Sequence, residues 1–322
     1  MQLILTVTRR CDLRCSYCPT AKDGWPSLSS EQAHRALDLF VERGGGELKI
    51  FGGEPLLEPE VVRSVLDRTA EEPSIKRTYL STNGLGLDEV WLDRVRADDK
   101  LILTISMDGR PEDHRRFRRV ATEGVRDAYD HVVSLLPAIH RTPRVVVTMT
   151  VPPASAKHMA DNFDHLRGLG FRRFNLLPGY YLPWRPEQLA ELRAGFAALA
   201  ERFRRAWAVD ERLYLRNLFT WAPTPFFNTG LVVDADGSIH PSNLGLSGKL
   251  DHLLEQTRAG TLDAPPTAEE LAEKADEINP LLERELEPGV LDSTRAVDAD
   301  LTALVRSLYP DFVAYKKRRS AS

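Results

Sequence analysis

Short apolar runs alternate with amphipathic stretches along the first half of the chain. The runs have the length of buried strands and lie at 2–8, 47–51, 76–81, 101–106, 144–151 and 171–178. Between them apolar residues recur at helical spacing, as in 30–43, which ends at a run of three glycines. This alternation predicts parallel strands joined by right-handed crossovers. Six such units predict an α/β fold, an open, partial (β/α)6 TIM-like barrel.

The pattern changes after residue 185, where we divide the chain into a barrel (1–185) and a C-terminal extension (186–322). The extension opens with a long amphipathic helix. Two short apolar runs around an Asp-Gly pair then predict a β-hairpin at 229–243. Further helices are predicted at 268–286 and 297–308. We expect these C-terminal helices to form a lid over the substrate.

Composition and charge exclude several classes of protein. The 322 residues are 42% hydrophobic and 28% charged, which is typical of a globular protein with a core of its own. The net charge of −4 predicts no general attraction to nucleic acid or to anionic lipid. No apolar stretch is long enough to cross a membrane. The N-terminal apolar run resembles a first strand rather than a signal peptide, so we expect a cytoplasmic protein.

The chain has three cysteines, Cys11, Cys15 and Cys18, and all follow the first predicted strand. One interpretation is three small buried hydrophobic residues. A second is a structural zinc site, which needs four ligands although the chain has no fourth cysteine. A third is a [4Fe–4S] cluster held by three thiolates, which leaves one iron open to a substrate or cofactor. The polar residues interleaved with the cysteines favour the third.

Glycine-rich and polar motifs follow the next three strands. They are Gly52-Gly53-Glu54-Pro55, Ser81-Thr82-Asn83-Gly84 and Ser106-Met107-Asp108-Gly109. Parallel α/β barrels place their chemistry at this carboxyl edge of the sheet. With the C-x3-C-x2-C spacing, and with Tyr17 and Arg118, this set resembles the radical S-adenosylmethionine (radical SAM) superfamily, in the branch with SPASM or twitch extensions.

The resemblance implies two cofactors and a reaction. One [4Fe–4S] cluster would be bound by Cys11, Cys15 and Cys18, with SAM on the open iron. One electron, from a donor such as flavodoxin or ferredoxin, would cleave SAM to a 5′-deoxyadenosyl radical. That radical would abstract hydrogen from a substrate C–H bond. Because the cofactors carry the chemistry, we nominate no catalytic side chain.

The resemblance also implies a set of SAM contacts. They are Tyr17, Gly52, Gly53, Glu54, Pro55, Ser81, Asn83, Ser106 and Arg118. We expect Gly52 and Gly53 to let the backbone approach the methionine part of SAM. Glu54 would fix either the SAM ammonium or the loop itself. Arg118 would pair with the SAM carboxylate, or remain a solvated charge in the basic run 115–119.

The predicted hairpin resembles that of the SPASM and twitch extensions but lacks their cysteines. Ser242 stands where a cysteine is expected. We therefore expect no auxiliary clusters, which favours redox-neutral chemistry. Candidate substrate contacts on the loop after the sixth strand are Tyr180, Tyr181, Trp184 and Arg185. Ordinary packing of an aromatic loop explains these four equally well.

Three functions remain open at this point. The first is a radical SAM enzyme that modifies a peptide in natural-product biosynthesis, although the first strand begins at once and we therefore expect no peptide-recognition domain before it. The alternative is the same chemistry on a small metabolite, such as a nucleoside, sugar or lipid precursor. A third, of another class, is a non-catalytic iron–sulfur binding or sensing protein. We expect no nucleic-acid or membrane partner.

Overall fold

The computed structural model describes residues 1–18, 20–121, 127–219, 230–246 and 248–321. Its strands are β1 (Gln2–Thr8), β2 (Leu13–Cys15), β3 (Gly46–Gly52), β4 (Ile75–Thr82), β5 (Leu101–Ser106), β6 (Arg118–Val120), β7 (Val145–Val151), β8 (Arg173–Pro178), β9 (Tyr214–Leu215), β10 (Leu231–Val233), β11 (Ser238–His240) and β12 (Gly260–Thr261). Each of the six predicted strands is present, as β1, β3, β4, β5, β7 and β8.

The helices fill most of the intervals between the strands. They are α1 (Ser30–Glu42), α2 (Pro59–Glu71), α3 (Glu89–Ala97), α4 (Pro111–Phe117), α5 (Ala128–Ser134), α6 (Leu136–Arg141), α7 (Met159–Gly168), α8 (Pro186–Ala208), α9 (Leu254–Thr257), α10 (Ala268–Asp276), α11 (Ile278–Glu285) and α12 (Pro288–Ala321). The helix predicted at 268–286 is thus two helices, and the one predicted at 297–308 is much longer. Within the described ranges, no helix is long and apolar enough to span a membrane.

The chain divides into two units. The first comprises the described parts of Met1–Ile105, Arg118–Val145 and Thr224–Arg284, and the second the described parts of the rest. The predicted hairpin therefore clusters with the N-terminal strands. The division at residue 185, and the role of the C-terminal helices as a lid, stay predictions.

The first unit is built on a largely parallel sheet with the strand order β12-β11-β10-β1-β3-β4-β5. β10, β1, β3, β4 and β5 pair in parallel, while β11 and β12 add antiparallel strands at one edge. β10 and β11 form the predicted hairpin, whose first residue, 229, lies outside the described residues. The parallel strands and their helices confirm the mixed α/β class.

Local sequence explains how α1 is placed in the first unit. Its N-terminus is a capping box: Ser29 Oγ accepts from the N–H of Gln32 (3.1 Å), and the Gln32 side chain accepts from the N–H of Ser29 (2.9 Å). The helix ends at Glu42, and Gly44 and Gly45 follow it with φ of 94° and 66°, in the left-handed region that glycine adopts freely. These signals set the helix boundaries, so that β3 begins where the sequence predicted.

The second unit contains β7, β8 and β9, which pair in parallel, and the long helices α8 and α12. Its core is rich in aromatic rings. Phe163 of α7 packs against Phe174 of β8 and Phe203 of α8, with ring centroids 4.5 Å and 5.4 Å apart. These are ordinary distances for stabilising aromatic pairs.

A buried ion pair joins the end of β1 to the hairpin within the first unit. The guanidinium of Arg9 is fully buried and donates to both carboxylate oxygens of Asp234, from Nε at 3.1 Å and from Nη2. The same guanidinium lies 3.5 Å from the centroid of the Trp25 ring. Because Asp234 follows β10, which pairs with β1, the two charged groups meet although 225 positions separate them.

Removing Asp234 should destabilise the first unit strongly. We expect Asp234→Ala to lower the free energy of unfolding by about 3–5 kcal/mol, because Arg9 keeps its buried charge and loses its partner. Chemical denaturation of the metal-free protein measures this.

Asp263→Ala is the matched control, since Asp263 is 88% exposed in its ion pair with Arg35 and solvent screens that pair. We expect little change in this control. Equal effects of the two substitutions would contradict a structural role for the Arg9–Asp234 pair.

Candidate active site

The three cysteines lie on one loop, residues 9–18, that leaves the carboxyl end of β1. We call it the cysteine loop. The side chains of all three are of intermediate exposure. Within the loop, β2 ends at Cys15, and a turn follows in which the N–H of Cys18 donates to the carbonyl of Cys15 (3.0 Å). Thiols that keep some exposure and lie beside polar residues do not resemble the fully buried hydrophobic residues of the first interpretation.

Hydrogen-bond donors approach the sulfur atoms of Cys11 and Cys18. The N–H of Leu13 is 3.4 Å from Cys11 Sγ, and Lys22 Nζ is 3.2 Å from Cys18 Sγ. Such donors stabilise thiolates, the form that binds metals. In the metal-free protein, burial raises the pKa of the Cys11 thiol to about 12. Binding of a metal at Cys11 therefore releases a proton.

The arrangement of donors distinguishes between two kinds of metal site. Among the residues that the structure describes, no three His, Cys, Asp or Glu side chains converge closely enough to hold a single metal ion. A zinc ion needs such convergence, with four ligands. In a four-iron cluster each thiolate binds a different iron, so the thiolates lie further apart. Three thiols can hold three irons of such a cluster and leave the fourth iron open, whereas they are one ligand short of a structural zinc site of four cysteines.

Gly52 and Gly53, at the end of β3, allow a very close approach of two backbone segments. A Cβ on Gly52, which has φ of 145°, would lie 2.1 Å from the carbonyl oxygen of Thr8. A Cβ on Gly53 would lie 2.2 Å from the carbonyl oxygen of Arg10, and the N–H of Gly53 donates to Thr8 (2.8 Å). The glycines thus make room for the chain itself, while their predicted contact with SAM stays a prediction.

Glu54 holds the next strand end in place. Its side chain is 1% exposed and accepts from the Thr82 hydroxyl (2.8 Å) and from the N–H groups of Asn83 (2.6 Å) and Leu56 (3.0 Å). Burial raises the pKa of this carboxyl to about 7, while the three donors oppose the shift. Glu54 therefore makes the hydrogen bonds expected if it fixes the loop, while its other predicted role, binding the SAM ammonium, stays a prediction.

Asn83 completes a connection between three strand ends. Its Nδ2 donates to Asp12 Oδ1 (2.6 Å) and lies 3.9 Å from Cys11 Sγ. Asp12 belongs to the cysteine loop after β1, whereas Asn83 follows β4 and is held by Glu54 after β3. The motifs that follow β1, β3 and β4 therefore form one hydrogen-bonded group, as their common position at the sheet edge predicted.

Arg118 lies in a small antiparallel ribbon rather than in a helix. β2 pairs with β6, which places Arg118 opposite Cys15. Arg118 is 9% exposed, and its guanidinium is 5.4 Å from the centroid of the Tyr17 ring. Tyr17 and Arg118 are thus brought together next to the cysteine loop, and Arg118 is not a solvated charge. Their contacts with SAM stay predictions.

The other predicted SAM contacts occupy different positions. Ser81 is half-buried near the end of β4, and Pro55 is buried at the start of a short 3₁₀ segment, Pro55–Leu57. Ser106 ends β5 and belongs to the second unit. The contacts of Ser81, Pro55 and Ser106 with SAM stay predictions.

The four predicted substrate contacts lie in the second unit. They are Tyr180, Tyr181, Trp184 and Arg185. The N–H of Tyr181 donates to Thr294 Oγ1 (3.0 Å), and that of Trp184 donates to Ser293 Oγ (2.9 Å), both on α12. Tyr180, Tyr181 and Trp184 are buried, whereas Arg185 is exposed just before α8. These contacts show what fixes the loop, and substrate binding by it stays a prediction.

Comparison with known proteins identifies the family. A family model of the radical SAM superfamily matches residues 5–192, more than half of the chain. The chain belongs to the radical SAM superfamily. Membership implies SAM and a [4Fe–4S] cluster as cofactors. Cys11, Cys15 and Cys18 are the residues that fit the cluster, and donors lie at the sulfurs of Cys11 and Cys18.

Relatives of known activity align with part of this radical SAM chain. It is similar to GTP 3′,8-cyclase 1 of Mycobacterium tuberculosis, with 28% identity over 177 residues, which cover 51% of this chain and 47% of that protein. It is also similar to GTP 3′,8-cyclase 1 of Pseudomonas aeruginosa, with 37% identity over 131 residues, or 39% of this chain and 38% of that protein. The aligned segments thus span less than half the length of these relatives.

Among solved structures, the radical SAM chain resembles native anSMEcpe with bound AdoMet. The TM-score is 0.70 at 18% identity, over 86% of this chain and 82% of that chain. At this identity the likeness shows the fold alone. It agrees with the predicted partial TIM-like barrel.

Several residues that build the site were missed by the sequence analysis. Asp12, Thr82 and Lys22 each make a side-chain contact in the group just described. Asp12 and Thr82 lie inside motifs that were recognised, so their positions carried a signal. Arg9 and Trp25 flank the cysteines, but the burial of Arg9 against Trp25 depends on Asp234, which no local pattern indicates.

Gly53→Ala should disturb cluster binding. Its new Cβ would overlap the carbonyl oxygens of Arg9 and Arg10, at 2.3 Å and 2.2 Å, and these residues lead directly into Cys11. We expect a large loss of iron bound after anaerobic reconstitution, with a lower melting temperature. Gly168→Ala, in α7, has nothing within 4 Å of the new Cβ and should be neutral or slightly stabilising. Full iron binding by Gly53→Ala would contradict this explanation of the glycine pair.

Glu54→Gln should change how stability depends on pH. The ordinary pKa of 4.5 is raised to about 7 in the folded protein. Folding therefore favours the neutral carboxyl, and its contribution is fully present below pH 4.5 and lost as pH rises through 7. Since glutamine cannot ionise, we expect the free energy of unfolding of the wild type to fall relative to the variant by about 3 kcal/mol over this window.

Denaturation of the metal-free protein between pH 5 and 8 measures this difference. Glu60→Gln is the control, because Glu60 is 82% exposed beside Arg63. A difference between wild type and Glu54→Gln that stays constant with pH would show that Glu54 titrates normally.

Proposed function

We propose that this radical SAM protein catalyses a reaction on a small-molecule metabolite. The observation that carries the proposal is the similarity to two GTP 3′,8-cyclases, whose names give a nucleotide as substrate. Modification of a peptide, the first expectation from the sequence, has no support from these relatives. Membership of an enzyme superfamily, with the connected motifs of the first unit, also argues against a purely sensing protein.

In the proposed enzyme, Cys11, Cys15 and Cys18 hold the cluster. When bound, the cluster would pass one electron from the donor to SAM, which is the reductive chemistry that the superfamily uses. Glu54 holds the motif after β4 against the motif after β3, and Asn83 extends this connection to Asp12. The same residues thereby fix the cysteine loop before any ligand arrives, which reduces the ordering that binding requires.

We further propose that the enzyme works with one cluster. All three cysteines lie between residues 11 and 18, so the rest of the chain offers no thiolate. Ser242 is buried, and its Oγ accepts from the N–H of Leu244 (3.2 Å). A serine in this setting supports the structure of the hairpin rather than a second cluster. A single cluster is best suited to redox-neutral rearrangement, elimination, epimerisation or addition.

The proposed enzyme needs a one-electron donor. We propose a flavodoxin or ferredoxin, because each SAM cleaved requires one electron at low potential. This part of the proposal follows from the superfamily chemistry.

Candidate substrates should separate the two kinds of function. The protein, reconstituted anaerobically with iron and sulfide and reduced with dithionite, is given SAM with GTP, other nucleotides, nucleosides, sugar phosphates or short peptides. We expect at least one small metabolite to accelerate the formation of 5′-deoxyadenosine several-fold over the substrate-free rate. Liquid chromatography with mass spectrometry measures it.

Cys15→Ala, which lacks one of the three thiolates, is the control and should form none. Acceleration by peptides and by no small metabolite would overturn the proposal in favour of peptide modification. An intact cluster that never cleaves SAM, with any substrate, would favour a sensing protein.

A further inference from the structure

Lys22 makes a contact with the cysteine loop that cluster binding alone does not require. Its ammonium lies 3.2 Å from Cys18 Sγ and 3.3 Å from the carbonyl oxygen of Thr20. The contact with Thr20 directs the ammonium, because the carbonyl accepts one of its three N–H donors. The side chain is half-buried, which limits how freely it can turn away into solvent.

The charge of Lys22 is not committed to a carboxylate in the part of the chain that the structure describes. The neighbouring Asp23 pairs with Arg14, at 3.2 Å. The carboxylate of Asp12 accepts from the amide of Asn83, at 2.6 Å. With these acidic groups engaged elsewhere, the positive charge of Lys22 faces the sulfur of Cys18.

This charge differs in kind from the donors at the sulfur of Cys11. The N–H of Leu13 and the amide of Asn83, at 3.4 Å and 3.9 Å from Cys11 Sγ, are neutral. A charged donor makes a stronger hydrogen bond than a neutral one. Net charge and hydrogen bonds at the sulfur atoms are among the factors that set the reduction potential of an iron–sulfur cluster.

We propose that Lys22 raises the reduction potential of the cluster through its contact with Cys18. Reduction moves one electron from a one-electron reductant to the cluster, and no covalent bond of the protein forms or breaks. The reduced site carries one more negative charge, so the nearby ammonium stabilises it more than the oxidised site. Lys22 is therefore a tuning residue, and this role rests on the cluster implied by the superfamily but not on the proposed substrate class.

The test is an EPR-monitored redox titration of the reconstituted full chain, without SAM or substrate. Lys22→Met keeps the length of the side chain and removes its charge, so we expect a more negative midpoint potential. Lys22→Arg keeps the charge and should return the midpoint to near the wild-type value. Lys76→Met is the matched control, since Lys76 is exposed and donates to the carbonyl of Pro73 (2.7 Å) rather than to a sulfur. Iron content and the melting temperature are measured for each protein.

Three results would overturn the proposal. One is an unchanged midpoint potential in Lys22→Met with normal iron content. Another is loss of iron in Lys22→Met and retention in Lys22→Arg, which would make Lys22 a requirement for binding the cluster rather than a tuning residue. The third is an unchanged potential combined with weaker binding of SAM to Lys22→Met in a separate equilibrium-dialysis measurement, which would assign the ammonium to the SAM carboxylate. Because no substrate is present, failure here leaves the proposed function untouched.

Discussion

The site depends on the close approach of two backbone segments, Thr8–Arg10 after β1 and Gly52–Gly53 after β3. No other residue type fits at either glycine without moving a carbonyl oxygen of the facing segment. This contact fixes the point from which the cysteine loop departs. It also places Glu54 where its carboxylate holds Thr82 and Asn83 after β4. The segments after β1, β3 and β4 are thereby connected by hydrogen bonds, and this connection positions the loop that carries the three thiols.

A buried ion pair reinforces this arrangement, and one of its two residues comes from a distant part of the chain. Arg9, next to the cysteine loop, is satisfied by Asp234 of the hairpin and by the face of Trp25. A buried ion is tolerated only when its partners are held in place, so the pairing of β10 with β1 is part of the support for the loop. This gives the hairpin a structural role in the first unit that needs no cysteine. It also explains why β10 of the hairpin pairs with β1 although the chain has thiols only at residues 11–18.

The local parts of this account could be predicted from the sequence, and the non-local parts could not. The six strands were predictable because parallel strands buried on both faces appear as continuous apolar runs. The motifs at their ends were predictable because glycine and short polar residues mark such turns. The β2–β6 ribbon was missed because strands of three residues carry no periodicity. The Arg9–Asp234 pair was missed because it depends on the pairing of β10 with β1. The close approach of Gly52 and Gly53 to the segment after β1 was missed for the same kind of reason, while their contact with SAM stays a prediction. The likeness of the hairpin to the SPASM and twitch extensions favoured peptide modification, whereas the names of the relatives support the small-metabolite alternative.

The central claim is that Cys11, Cys15 and Cys18 hold a four-iron cluster with one iron open to SAM. Mössbauer spectroscopy of the full chain, reconstituted with ⁵⁷Fe, tests it most directly when spectra are recorded with and without SAM. The account predicts a [4Fe–4S] cluster in which the signal of one iron changes on addition of SAM. It also predicts that a variant with all three cysteines replaced by alanine binds no cluster. A two-iron or mononuclear site, or a four-iron cluster whose spectrum SAM leaves unchanged, would contradict it.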